Sequence, residues 1–101
     1  MKPNRSDSPD VREAAEIALC EAIARLRKPD DIHAFLKDLC TPAELQALVD
    51  RWQVVELLKE DLPYRRINQL TGVSVTTIGR VARFLTDGFG GYQLALRKRK
   101  R

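Results

Sequence analysis

YRRINQLTGVSVTTIGRVARFL, residues 64–85, consists of two short helical patterns joined by a turn. Pro63 precedes the first pattern, which predicts a helix over about Tyr64 to Leu70. Thr71-Gly72-Val73-Ser74 supplies a tight turn, and Gly72 can take the positive φ that such a turn needs. A second helix is expected over about Val75 to Leu85. Ile67 and Leu70 are spaced to pack on Val73, Ile78, Val81 and Leu85, with the two helices meeting steeply across the turn. This is the pattern of a helix-turn-helix.

The residues left around the second helix are Ser74, Val75, Thr76, Thr77, Gly79, Arg80 and Arg83. Hydroxyls and guanidiniums reach base edges and phosphates, and Gly79 lets the backbone come close to a groove. Arg65 and Arg66 on the preceding helix can grip phosphates or reach a guanine. An ordinary helical hairpin with a solvated polar face is the plainer alternative. Charge weighs against it. Residues 1–62 carry nine Lys/Arg and thirteen Asp/Glu, whereas residues 63–101 carry nine Lys/Arg and only Asp87. A basic half joined to an acidic half suggests that one part meets a polyanion. The basic tail, residues 97–101, supplies five of those charges, yet Arg65, Arg66, Arg80 and Arg83 still outnumber one acid without it.

Upstream, Ser8-Pro9 is a helix start, and Val11, Ala15, Leu19, Ala22, Ile23 and Leu26 follow at helical spacing to about Arg27. Asp30 or Asp31 can cap a second helix with Ile32, Phe35, Leu36 and Leu39 as its stripe. Thr41-Pro42-Ala43-Glu44 is a capping box that opens a long third helix, with Leu45, Leu48, Trp52, Val55 and Leu58 on one face, reaching about Glu60. Asp61-Leu62-Pro63 breaks it. After the motif, Asp87-Gly88-Phe89-Gly90-Gly91 is a link, and a last helix from about Tyr92 carries Leu94 and Leu96. The expected organisation is a disordered segment over residues 1–8, one all-α domain over 9–96 containing the motif at 64–85, and the tail at 97–101.

The chain has 101 residues, enough for one domain with a modest core, so dimerisation is a natural way to enlarge it. No apolar run approaches the ~18 residues of a membrane span, and residues 1–11 lack the apolar stretch of a secretory signal; a cytoplasmic protein is expected. Cys20 and Cys40 fall within apolar helical patterns and read as small core residues. With one histidine, His33, they make no structural zinc site, so no metal or other cofactor is expected. Nothing pairs a nucleophile with a base, which argues against an enzyme.

The run Thr41-Pro42-x-Glu44-x-x-Ala47-Leu48-x-x-Arg51, then Val55-Glu56-Leu57-Leu58, then Gly72-x-x-x-x-Thr77-Ile78-x-Arg80 resembles the Trp repressor family. Phe35-Leu36-x-Asp38-Leu39-Cys40-Thr41 and Gly91-Tyr92 are similar to its YerC/YecD branch. The resemblance covers about residues 18–96. It implies a six-helix fold, an intertwined homodimer and two reading heads about one DNA turn (~34 Å) apart on double-stranded DNA. In that family a tryptophan corepressor is held between two arginines that match Arg51 and Arg80, and Thr41 and Thr77 match positions lining the same pocket. A pocket glycine is Val81 here, and a serine that meets the ligand's amino group is Phe84. Phe84 is therefore expected to bury itself in the pocket, gaining ~2–3 kcal/mol, and to leave no room for tryptophan. The implied function is a sequence-specific, repressor-like DNA-binding regulator that is not gated by L-tryptophan. A protein-interaction module that reuses the motif, or a regulator gated by another small ligand, are the competing readings.

Overall fold

A computed structural model describes residues 8–97. Of the disordered segment expected over residues 1–8 and the basic tail over 97–101, all but Ser8 and Arg97 lie outside the described residues. The described chain is all-helical: α1 (Pro9–Ala24), α2 (Pro29–Leu39), α3 (Pro42–Lys59), α4 (Tyr64–Thr71), α5 (Val75–Asp87) and α6 (Gly91–Leu96). No helix among the described residues is long and apolar enough to cross a membrane. The chain divides into two compact units, one ending at Thr41 and the other beginning at Pro42.

In the N-terminal unit, Ser8 caps α1 by accepting a hydrogen bond from the Val11 amide at 3.2 Å, with Pro9 in the first turn where its missing N–H costs nothing. The helix ends at Ala24, earlier than its apolar spacing suggests, and Arg25 closes it. Lys28, not Asp30 or Asp31, occupies the cap position of α2, because Pro29 takes the first helical position, two residues before the earliest start that those caps would allow. Neither helix contains a buried residue. Val11, Leu19 and Leu39 are 50%, 40% and 51% exposed. Cys20 is exposed and Cys40 half-buried, so neither is a core residue within the chain as the sequence led us to expect. His33 is exposed.

The C-terminal unit holds the core. Val54 and Val55 of α3, Ile67 of α4, Val73 of the turn, and Ile78 and Val81 of α5 form one buried cluster. Trp52, Leu57, Leu58, Leu62, Leu85, Tyr92 and Leu96 pack around it. The third helix is apolar on more than one side, and its packing chooses Val54 together with Val55 while Leu48 and Val49 stay more than 40% exposed. Asp61 adopts a left-handed conformation (φ 63°) at the exit of α3, a role that Asp tolerates better than most side chains. The tilted Trp52 and Tyr92 rings, 6.4 Å apart, tie α6 back to α3. Gln93 also donates to the Leu85 carbonyl at 3.1 Å, near the end of α5. Of the two leucines that α6 carries, Leu96 packs against the core and Leu94 is 61% exposed.

Candidate nucleic-acid interface

α4 and α5 are joined by three residues, Gly72 to Ser74. Gly72 ends α4 in the left-handed region (φ 77°), and its amide donates to the Asn68 carbonyl at 2.8 Å. Around it, the Thr71 hydroxyl donates to the Ile67 carbonyl at 2.7 Å and accepts from the Val73 amide at 3.0 Å. Asn68 Nδ2 donates to the Val73 carbonyl at 2.8 Å. These bonds satisfy backbone groups that a helix end leaves orphaned. The reading from sequence placed Thr71 in the turn with Gly72 but assigned no bonds to the side chains of Asn68 and Thr71. Their side-chain type beside a glycine turn was the available signal.

Ser74 caps α5: its Oγ accepts from the Thr77 amide at 3.1 Å and its hydroxyl donates to Thr77 Oγ1 at 3.1 Å. Both residues were assigned to the surface that meets DNA, and here their hydroxyls also hold the start of the helix. Of the pair assigned to the inter-helix contact, Ile67 is fully buried but Leu70 is 52% exposed. Ile67 takes the one inward position, and Leu70 is not on the face of α4 that the core covers.

Helical spacing sorts α5 into three faces. Ile78 and Val81 are buried in the core, and Leu85 packs beside them. Thr76, Gly79, Arg80 and Arg83 lie within about one quadrant on the opposite side; Thr76, Arg80 and Arg83 are exposed and Gly79 is half-buried. That face meets its one acid, Asp87, only at the last turn. Arg65 and Arg66 are exposed on α4, with Arg66 Nη1 3.4 Å from Gln69 Oε1. Val75 is 53% exposed at the head of α5. The cationic side chains thus stand outside a core that fixes the backbone beneath them.

The third face of α5 carries Thr77, Arg80, Val81 and Phe84, which line a cavity of about 420 Å³ together with Arg51 of α3 and Tyr92 of α6. The structure brings together five of the six residues assigned to a former corepressor pocket and adds Tyr92. Thr41, the sixth, closes the N-terminal unit. Phe84 does not bury itself as expected. It is 40% exposed, and the Arg80 guanidinium lies over its ring, 5.8 Å from the centroid. Val81, 1% exposed, is taken up by the core, so it narrows the cavity without closing it. No group of acidic, His or Cys side chains among the described residues is arranged to hold a metal ion.

Comparison with known proteins gives a consistent result. YerC of Bacillus subtilis (strain 168), itself uncharacterised, is 38% identical over 78 residues, 77% of this chain and 75% of its own length. A Trp operon repressor homolog of Vibrio vulnificus (strain YJ016) is 51% identical over 43 residues, 42% of each chain. Among solved structures, a TrpR-like protein from Eubacterium eligens ATCC 27750 matches with a TM-score of 0.77 at 32% identity, over 91% of this chain and all of that one (100%). A Staphylococcus aureus protein whose crystal structure carries a Trp repressor assignment matches with a TM-score of 0.79 at 36% identity, over 91% and 92% of the two chains. The model of the Trp repressor protein family covers residues 16–100, and with this coverage the chain belongs to that family.

Proposed function

We propose that this chain is a sequence-specific, repressor-like regulator that binds double-stranded DNA as a cytoplasmic homodimer, with α4 and α5 as its helix-turn-helix. The observation that carries this reading is the outward face of α5. Thr76, Gly79, Arg80 and Arg83 stand there together, backed by Ile78 and Val81 in the core, and Arg65 and Arg66 are exposed on the preceding helix. Small, hydroxylic and cationic side chains on a rigid helix are what a major groove admits. Repeated selection from random duplexes, followed by gel shift against competitor DNA, tests it. Enrichment of one two-fold symmetric sequence is expected, and retention of all duplexes alike would sink it. For roughly six phosphates neutralised, log K should fall with log salt at a slope of about −5.

The same reading makes DNA binding independent of L-tryptophan. α5 is held by buried Ile78 and Val81 in one cluster with Val54 and Val55, so its position needs no ligand. Phe84 and Val81 occupy the wall where an indole would lie, and the Arg80 guanidinium is already stacked on Phe84. Titration calorimetry with millimolar L-tryptophan should give only dilution heat and leave operator affinity unchanged; micromolar binding would overturn this part. A second reading, gating by another small anion, is favoured by one observation: two arginines, Arg51 and Arg80, line a cavity whose lining contains no acid. A gel shift that responds to a small carboxylate or phosphate would select it.

A further inference from the structure

Gly79 sits in mid-helix at a position where nothing among the described residues calls for glycine. Its φ is not positive, and a Cβ built there would meet only Cε2 of Tyr64, at 3.9 Å, an ordinary contact. Glycine in a helix interior is costly, because the unfolded backbone has more freedom to lose. The chain carries that cost in the middle of its outward α5 face, one turn after Thr76 and one turn before Arg83, with Arg80 adjacent. The neighbour across the gap is the ring of Tyr64, the first residue of α4, which is 41% exposed. Among the described residues its hydroxyl makes no hydrogen bond to the chain.

We infer that Tyr64 and Gly79 together form a notch in the reading surface, in which bare α5 backbone admits the sugar-phosphate edge of the DNA and the Tyr64 hydroxyl donates to a phosphate oxygen. The inference rests on the DNA-binding reading and adds two things to it. Gly79 is kept for the ligand against the interest of the fold, and Tyr64 is a positioning residue that sets the depth of α5 in the groove. The ring forms one wall of the notch and stays outside the core. A phenol carries no charge, so its contact fixes register without adding to the salt dependence.

Three proteins test this, the wild type, Gly79→Ala and Tyr64→Phe, each measured by thermal unfolding and by titration of the selected duplex at several salt concentrations. Gly79→Ala should raise Tm by roughly 2–8 °C and weaken specific binding by about tenfold, the size of one lost base-pair contact. Tyr64→Phe should leave Tm within a degree or two and weaken binding by about two- to tenfold, as for one neutral hydrogen bond, with the salt slope unchanged. If Gly79→Ala binds like the wild type, or lowers Tm, the notch is overturned while the DNA reading stands. A Tyr64→Phe protein with wild-type affinity removes the hydroxyl from the account. A wild type that prefers no duplex fails the underlying reading and the notch with it, and the wild-type titration alone shows that.

Discussion

The two units of this chain spend their apolar residues differently. From Pro42 onward, six apolar side chains are buried against one another and seven more pack around them. Up to Thr41, two helices with comparable apolar content bury nothing completely. Val11, Ile17 and Leu19 of α1 are 40–50% exposed. The C-terminal unit has what it needs to hold α5 in place. The described helices of the N-terminal unit close no such core of their own, and a homodimer is the arrangement we propose to supply it. On that proposal the difference separates two origins of stability: a core closed within one chain, and one that depends on association and hence on concentration.

The largest expected effect lies in the closed core. Ile78→Ala removes a fully buried side chain and should cost about 2–5 kcal/mol in urea unfolding, the same at every protein concentration. Ile17→Ser, in the N-terminal unit, should cost less, about 1–2 kcal/mol, and its cost should shrink as dilution dissociates the wild-type dimer as well. Sedimentation of the wild type should give about twice 11.5 kDa, with the variant shifted toward the monomer. A concentration-independent loss at Ile17, or a well-folded wild-type monomer at micromolar concentration, would break the comparison.

Smaller effects sharpen it within the C-terminal unit. Ser74→Ala deletes the cap of α5 and should cost about 1 kcal/mol of stability, measured by thermal unfolding; no change would mean that the start of α5 is held by packing alone. Asn68→Ala removes the bond to the Val73 carbonyl and should cost about 0.5–1.5 kcal/mol. Because it loosens the angle between α4 and α5, the DNA off-rate should rise more than the stability loss alone accounts for. Equal changes in both would make Asn68 a purely structural residue.

Element order and type were legible from local chemistry. Ser8-Pro9 opens α1, Pro42 opens α3 and Gly72 separates α4 from α5, each because a backbone requirement admits few residue types. The candidate pocket was legible only through resemblance, since Arg51 and Arg80 lie far apart in sequence and no spacing rule joins them. Tyr92 was visible as the opening of the last helix, yet its place in the cavity wall depends on how α6 folds back over Trp52.

By itself, then, the sequence determined six helices, the cap of α1, the glycine turn between α4 and α5, and the basic character of the second half, because these depend on residues within a few positions of one another. Only the tertiary structure decided which side of α3 goes inside. That helix has apolar residues on more than one side, so periodicity offers several faces, and the choice of Val54 with Val55 falls to the packing of α4 and α5. Tertiary packing likewise left Leu70 outside and Phe84 beside an open cavity, although both side chains are hydrophobic enough for a core. Hydrophobicity drives burial but has no direction, and the limited inward surface of a short chain decides which apolar side chains it takes.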